Sequence, residues 1–330
     1  MNKVREIIFI ILSAAFFFVP ALWSPLRDYA PGVAVITGIV FTVTVGNPFA
    51  KITGKYTSFL LGTAIVGMGC AMDIVAVLQA GANGFIYTLI GIALGLGFGV
   101  VIGKKLKLER NVMYLISVGT SICGGSAIAA AAPALKAKAH DIAMSSAVVF
   151  TLNAVALLLF PVIGRTLNMS ESQFGYWAAL AIHDTSSVVG ATLQYGSTAL
   201  EIGTTVKLAR ALWIVPVTIF LSCFVAGRES GEKSSVKVKV PWFIPGFLIA
   251  AAIYTFLPKY LPFCAEAGKF IKDISKYLMV LTLFFIGANL SREKLRELGI
   301  KPIVHGVILW VMLSVIWGVF IVSGIVKCAK

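Results

Sequence analysis

The stretch Gly119-Thr120-Ser121-Ile122-Cys123-Gly124-Gly125-Ser126-Ala127 lies in the middle of an apolar block that runs from Val112 to Leu135. A block of this length can cross the hydrocarbon core of a bilayer as a helix. Adjacent glycines destabilise a helix, and irregular backbone at membrane depth is tolerated only where protein or a water-filled cavity surrounds it. The stretch therefore predicts a membrane-spanning helix that is interrupted in its middle.

The rest of the chain has the same apolar character. Of its 330 residues, 58% are hydrophobic and only 13% carry a charge. Soluble domains carry about 25% charged residues. The apolar residues fall in eleven blocks, which predict an all-α polytopic membrane protein with about 11 transmembrane helices. These blocks are Glu6–Trp23, Pro31–Gly46, Thr57–Leu78, Gly84–Gly103, Val112–Leu135, Ile142–Gly164, Phe174–Thr192, Gly203–Ala226, Pro241–Leu257, Ile271–Leu290 and Ile303–Val326.

The chain repeats part of itself. The segment Phe59–Gly81 aligns with Tyr277–Gly299 at a constant offset of 218 residues. The two copies are an odd number of predicted spans apart, so they would face opposite ways, an arrangement typical of secondary transporters. The alternative is a chance alignment of Leu and Gly, which are frequent in any membrane protein.

This repeat suggests four regions along the chain. Residues 1–30 are predicted to hold an N-terminal transmembrane helix, and residues 31–226 a first repeat with the core helices that carry the motifs. Residues 227–240 contain Ser, Gly, Glu and Lys and are predicted to be a cytoplasmic linker. Residues 241–330 are predicted to hold the C-terminal helices of the second repeat.

The charges follow membrane topology. The net charge is +14, and most Lys and Arg residues lie in short loops between the apolar blocks. With the N-terminus inside, the inner segments hold 17 of these cations and the outer segments 9, which predicts a cytoplasmic N-terminus. No nucleic-acid partner is predicted from such a pattern. The cysteines lack zinc spacing and no nucleotide-binding loop is present, so neither a metal nor a cofactor is predicted.

A second polar motif, His183-Asp184-Thr185-Ser186-Ser187, interrupts the block Phe174–Thr192. Ionisable residues at membrane depth are costly and, by default, functional. Asp184 is a candidate carrier of a proton or cation, and His183 can titrate near neutral pH. These two residues are therefore the predicted ion-coupling groups. The alternative is that they satisfy backbone groups in a kinked helix.

Both motifs, with the basic pair that follows them, suggest an anion-binding site. A broken helix would direct free N–H groups and the positive end of a dipole at a bound anion. Arg210 could grip an oxyanion in bidentate fashion or pair with Asp184, whereas Lys207 could instead extend to the membrane interface. The small residues could also serve only close helix packing. The residues predicted to bind substrate are Thr120, Ser121, Cys123, Gly124, Gly125, Ser126, Thr185, Ser186, Ser187, Lys207 and Arg210.

Taken together, the motifs at Gly119–Ala127, Ile182–Ala191 and Lys207–Trp213 resemble those of bacterial inner-membrane proteins labelled sulfate exporters. That family is grouped with the cation/proton antiporters and related anion transporters. The resemblance implies inverted repeats with discontinuous helices near the membrane midplane, often in a homodimer. It also implies a small anionic solute, such as sulfate, a related sulfur oxyanion or an organosulfonate.

The leading hypothesis is a secondary transporter, not an enzyme, that moves such an anion and is coupled to H⁺ or Na⁺. Two alternatives are a cation/proton antiporter and a channel or sensor subunit. A third is an intramembrane hydrolase with Ser121 or Ser126 as nucleophile and His183 as base. The sequence leaves open whether the two interrupted segments are broken helices or re-entrant hairpins.

Overall fold

The computed structural model describes residues 2–22, 30–221, 242–261, 263–289 and 299–326. Within these ranges the chain is helical and contains no β-strand. The α-helices are α1 (Asn2–Leu22), α2 (Ala30–Thr44), α3 (Ala50–Gly69), α4 (Ile74–Lys105), α5 (Arg110–Ser121), α6 (Gly125–Ala134), α7 (Ala139–Thr166), α8 (Glu171–Ala181), α9 (Thr185–Tyr195), α10 (Ser197–Ala211), α11 (Ile214–Phe220), α12 (Phe243–Phe256), α13 (Phe263–Ala288) and α14 (Ile300–Val322). A 3₁₀ turn, Leu257–Lys259, follows α12.

The described residues divide into two compact units. Unit 1 takes those up to Gln79, Leu193–Gly196 and those between positions 241 and 292. Unit 2 takes Ala80–Thr192 and the described residues of 197–240 and 293–330. This grouping differs from the four regions expected along the sequence, because each unit combines segments that are distant in the chain. The predicted linker at 227–240 lies outside the described residues.

Unit 1 is built from close helix contacts at glycines. A Cβ on Gly69 of α3 would lie 2.7 Å from the Phe247 carbonyl oxygen of α12, and one on Gly287 of α13 would lie still closer to the Val35 carbonyl oxygen of α2. Glycine allows two helix backbones to approach this closely. Along α3 and α13 the contacts run in opposite order, from Thr53 beside Asn289 to Gly67 beside Ser275. These two helices are therefore antiparallel.

In unit 2, α5 and α6 form a hairpin. Asn111 at the start of α5 donates a 3.2 Å hydrogen bond to Asp141 at the start of α7, and Gly119 lies beside Val149. Both pairs are 30 residues apart, so α5 and α7 run parallel. The helix between them must then run back, and Ile128 of α6 does pack against Gly119.

The helices α8 and α9 form a second hairpin. The Glu171 carboxylate at the start of α8 accepts a 2.8 Å hydrogen bond from the Thr198 N–H at the start of α10. Farther along, Gly175 lies beside Ile202, and Lys207 bonds to the Ile182 carbonyl. Contacts that advance together along both helices show that α8 and α10 are parallel, so α9 runs back between them.

The two hairpins point towards each other. The hairpin of α5 and α6 begins level with the start of α7, whereas α8 begins five residues after the end of α7. The Ser170 side chain accepts a hydrogen bond from the Gln173 N–H, and the Gln173 side chain accepts one from the Ser170 N–H, a capping box that fixes this start. Each hairpin therefore enters from a different end of α7, and their tips approach its middle.

The interruptions expected within Val112–Leu135 and Phe174–Thr192 are present, but neither block is a single span. Each is two helices that run in opposite directions, which decides the open choice in favour of hairpins. In the described part of the chain, four segments are long and apolar enough to cross a membrane. They are Ile74–Lys105, Ala139–Thr166, Ser197–Phe220 and Ile300–Val322.

A row of glycines on α4 holds α5 close. Gly95, Gly99 and Gly103 face Ser121, Ser117 and Met113 in turn, so the two helices are antiparallel. A Cβ on Gly99 would lie 2.6 Å from the Ser117 Cβ, and one on Gly103 would lie 2.8 Å from the Met113 sulfur. This contact positions α5, and with it the first hairpin tip.

Candidate functional site

The tips of the two hairpins touch. Gly124, in the turn between α5 and α6, has φ +68° and ψ −130°, a conformation that L residues with a side chain rarely adopt. A Cβ at this position would lie 3.2 Å from the Cβ of Asp184, in the turn between α8 and α9. The glycine therefore permits both the sharp reversal of the chain and the close approach of the second tip.

Arg210 binds the C-terminal ends of α5 and α8, the first helices of the two hairpins. Its Nε donates to the Ser121 carbonyl at 2.8 Å, and its Nη2 bonds to the Thr120 and Ser121 carbonyls. Its Nη1 donates to the Ala179 and Leu180 carbonyls, at 3.1 and 2.6 Å. The side chain is 1% exposed. One guanidinium thus joins α5 to α8.

These contacts fit the needs of a helix end. The last carbonyls of a helix have no partner within it and carry the negative end of its dipole. In α5, the Val118 and Gly119 carbonyls accept from the turn that follows, which leaves Thr120 and Ser121 for Arg210. Arg210 is therefore engaged by backbone carbonyls, and its guanidinium is neither paired with Asp184 nor directed at an open site.

Lys207 lies one helical turn before Arg210 and is completely buried. Its ammonium donates a 2.7 Å hydrogen bond to the Ile182 carbonyl, in the second tip. The interpretation in which Lys207 extends to the membrane interface is wrong, because the structure directs its ammonium to this buried carbonyl. An ammonium has three N–H groups, so this bond uses one of them.

Asp184 is the N-cap of α9. Its carboxylate accepts a 3.0 Å hydrogen bond from the Ser186 backbone N–H and a second bond from the Ser186 hydroxyl. This is the arrangement by which acidic residues stabilise the start of a helix. The residue is only partly buried, and both bonds use the same carboxylate oxygen. Asp184 therefore has a structural role in addition to the coupling role predicted from sequence.

Asn153 belongs to the site, although the sequence analysis did not single it out. It lies in the middle of α7 and is 3% exposed, and its side-chain oxygen accepts a 3.2 Å hydrogen bond from the His183 N–H. Its Nδ2 atom has no hydrogen-bond partner in the described ranges. A polar residue inside the apolar block Ile142–Gly164 was a signal that could have revealed it.

The start of α6 has no side-chain cap in the N-cap position, which is held by Gly124. The first N–H groups of a helix have no acceptor within it. The Ala127 N–H is directed at the Cys123 sulfur. The helical hydrogen bonds begin with the Ile128 N–H, which donates to the Gly124 carbonyl, so the N–H groups of Gly125 and Ser126 come before them. The start of α6 thus presents backbone donors where the tips meet.

The remaining predicted residues have different surroundings. His183 is 1% exposed, and neither of its ring nitrogens has a hydrogen-bond partner within the described parts of the chain. The Ser121 hydroxyl lies against Gly95 of α4, and Ser126 is exposed. The structure buries the other hydroxyl-bearing and thiol residues of the motifs, which are Thr120, Cys123, Thr185, Ser186 and Ser187.

The comparison with known sequences covers nearly the whole chain. The family described as "Conserved hypothetical protein 698" matches residues 7–306. The chain belongs to that family. No solved structure matches it.

Relatives of this family member are described as UPF0324 membrane proteins. The relative from Bdellovibrio bacteriovorus is 50% identical over 85% of each chain, and that from Geobacter sulfurreducens is 47% identical over 85% of this chain and 87% of its own. A relative from Bacteroides thetaiotaomicron is 43% identical over 90% and 88%. These descriptions and the four long apolar segments identify a membrane protein. The names of these relatives mention no solute, so the resemblance to sulfate exporters stays a prediction.

Proposed function

We propose that this protein is a secondary transporter that moves a small anion across the bacterial inner membrane and is coupled to H⁺ or Na⁺. The observation that carries the proposal is the meeting of two hairpin tips at the middle of α7, beside two buried cations. Helices interrupted at membrane depth direct their ends at a solute and its coupling ion. Ionisable residues at membrane depth are costly and by default functional, and among the described residues the completely buried Lys207 ammonium has no role at a helix end beyond its bond to the Ile182 carbonyl.

The hairpins support an inverted arrangement of repeats. Two series of three helices have the same arrangement: α5, α6 and α7 form one, and α8, α9 and α10 form the other. In each series the second helix runs back and the third lies parallel to the first, and the two series begin at opposite ends of α7. In unit 1, the antiparallel helices α3 and α13 hold the first halves of the two aligned sequence copies, Phe59–Gly69 and Tyr277–Ala288, although positions 290–298 lie outside the described residues. Two inverted halves can exchange inward-open and outward-open states.

The same hairpins change the predicted number of membrane crossings. If both are re-entrant, nine of the eleven predicted spans cross the membrane, and the inner segments hold 18 Lys and Arg residues against 8 outside. This bias is stronger than the one for eleven crossings and keeps the N-terminus in the cytoplasm. The homodimer remains an expectation from the family resemblance.

Asp184 and His183 are the proposed coupling groups. The Asp184 carboxylate is partly buried at the tip, and the His183 imidazole is buried with both nitrogens unpartnered among the described residues. A group that binds a proton or Na⁺ next to the solute couples the binding of that ion to the binding of the solute. The choice of sulfur oxyanions and organosulfonates as substrates rests on the resemblance of the motifs alone.

Flux into proteoliposomes tests the proposal. Purified protein is reconstituted, and uptake of labelled sulfate, sulfite and taurine is measured under an imposed pH or Na⁺ gradient. We expect saturable uptake of at least one anion that depends on one gradient. Asp184→Asn should keep the N-cap and the fold but lose the dependence on the gradient. Gly97→Ala, on an open face of α4, is the matched control.

Folded wild-type protein that moves none of these anions under either gradient would contradict anion transport. Cation exchange, measured as Na⁺-driven proton flux, would then support the antiporter alternative. The hydrolase alternative requires a serine nucleophile, so it predicts complete loss of activity in either Ser121→Ala or Ser126→Ala. A transport site would instead lose affinity only in part.

A further inference from the structure

Asn153 is held with its side-chain nitrogen facing the start of α6. The His183 backbone N–H can only donate, so the Asn153 atom 3.2 Å from it is the oxygen. The Nδ2 atom therefore points elsewhere, and it lies 3.6 Å from the position that a Cβ would take on Gly124. A buried amide nitrogen without an acceptor is costly, so this position calls for an oxygen atom from a ligand.

Two sources of positive charge, the start of α6 and the Lys207 ammonium, lie near the Asn153 amide nitrogen. The start of α6 presents N–H groups and the positive end of the helix dipole, with no side chain in the capping position. The Lys207 ammonium uses one N–H for the Ile182 carbonyl and interacts electrostatically with Cys123 of the first tip and Asp184 of the second. The Asn153 amide nitrogen, the N–H groups at the start of α6 and the Lys207 ammonium all donate hydrogen bonds, and none of them accepts one.

We propose that Asn153, Lys207 and the N-terminus of α6 form a binding site for a compact oxyanion, and that Arg210 takes no part in holding it. This inference rests on the proposed function and names the chemistry of its substrate. A sulfate, sulfonate or carboxylate group supplies only acceptor oxygens, and inorganic phosphate supplies mainly acceptors, which match a cluster of donors. Arg210 does not contribute, because its N–H groups are directed at four backbone carbonyls.

Asp184 gives the site its dependence on a second ion. Its Cβ is 3.2 Å from the same Gly124 position, so its carboxylate and the bound oxyanion are close like charges. Like charges at short range in a poorly solvated site repel strongly. The oxyanion therefore binds best when a proton or Na⁺ neutralises Asp184.

Asn153→Asp is the informative substitution. It keeps the oxygen that accepts from His183 and replaces the free donor with an acidic oxygen at the start of α6. The variant supplies its own anion to the site, so it should fold normally and fail to bind another. Ser145→Ala is the matched control, because Ser145 is also buried on α7 with a hydroxyl that has no partner in the described chain.

Binding is measured on the purified full-length protein in detergent. Sodium sulfate, sodium phosphate or taurine is titrated at constant ionic strength set with NaCl, and thermal unfolding is followed by tryptophan fluorescence. We expect at least a tenfold loss of apparent affinity in Asn153→Asp, an unliganded melting temperature at or above that of wild type, and no change in Ser145→Ala. Wild-type affinity in Asn153→Asp, or an equal loss in Ser145→Ala, overturns the inference.

The two proposals can fail separately. Wild-type flux that persists unchanged in Asn153→Asp rejects this site and leaves transport standing. Oxyanion binding that Asn153→Asp abolishes, in a wild-type protein that shows no flux under any gradient, supports the site and rejects transport. Absence of both binding and flux in the folded wild type rejects both.

Discussion

Gly124 and Asp184 lie against each other at the point where two helix hairpins meet, so closely that Asp184 would have to shift to make room for a side chain on Gly124. Its positive φ and the 3.2 Å approach to the Asp184 Cβ would each penalise any other residue. The two tips are 60 residues apart in the chain, and this contact holds them together alongside the bonds of Arg210 to α5 and α8.

Gly124→Ala should damage both stability and function. An L residue at φ +68° is strained by about 1–3 kcal/mol, and the new Cβ would also push the second tip away. We expect a lower melting temperature in detergent and strongly reduced anion uptake. Gly97→Ala, at a helical position with no atom within 4 Å of the new Cβ, should be neutral or slightly stabilising. Equal behaviour of the two variants would show that the tips do not meet in this way.

Arg210→Met should destabilise the protein rather than change its affinity for an anion. The substitution leaves the Thr120, Ser121, Ala179 and Leu180 carbonyls without their donor, and breaking a buried network of this kind costs about 3–5 kcal/mol. Thermal unfolding followed by tryptophan fluorescence measures the loss. Arg210→Lys should recover only part of it, since an ammonium cannot match the planar fork of donors. A stable Arg210→Met protein with a raised KM would instead place Arg210 at the substrate.

Asp184→Asn and Asp184→Ala should differ in a defined way. Asparagine can still cap α9, whereas alanine loses the two bonds from Ser186 and about 1 kcal/mol of stability. Both lose the charge that a proton neutralises. If H⁺ is the coupling ion, uptake should be favoured by low external pH in the wild type and be insensitive to pH in both variants. If Na⁺ is the coupling ion, the same contrast should appear in the dependence on external Na⁺. The charged or titratable groups around Asp184 are His183, Lys207, Arg210 and Cys123, and of these only the His183 imidazole is suited to a pH response that survives in Asp184→Asn.

Gly99→Ala on α4 should be rescued by Ser117→Gly on α5. A Cβ on Gly99 would lie 2.6 Å from the Ser117 Cβ, which is closer than side-chain carbons approach. Each single substitution should lower the melting temperature, and the double variant should recover most of the loss. Coupling between contacting residues is about 0.5–3 kcal/mol. Additive losses in the double variant would mean that the glycine row on α4 does not set the position of α5.

The sequence located the interruptions of the helices and the charged residues around them. Glycine pairs and polar runs act locally, so the breaks at positions 122–124 and 182–184 follow from the residues themselves. The sequence pattern predicted no role for Asn153, because a single amide within a long apolar block marks a polar position without showing which helix ends it meets. It assigned Arg210 to an anion, because the carbonyls that occupy it are 30 and 89 residues away in the chain.

By itself, the sequence determined the helical membrane class, since the length and composition of an apolar block decide that a segment leaves water. Only the tertiary structure decided the direction of the chain after each break. A turn between two short helices can continue or reverse, and here the parallel packing of α5 on α7 and of α8 on α10 forces reversal. The same packing brings Gly124, Asn153, Asp184 and Lys207 to one point, because a binding site at membrane depth depends on which helix ends meet there.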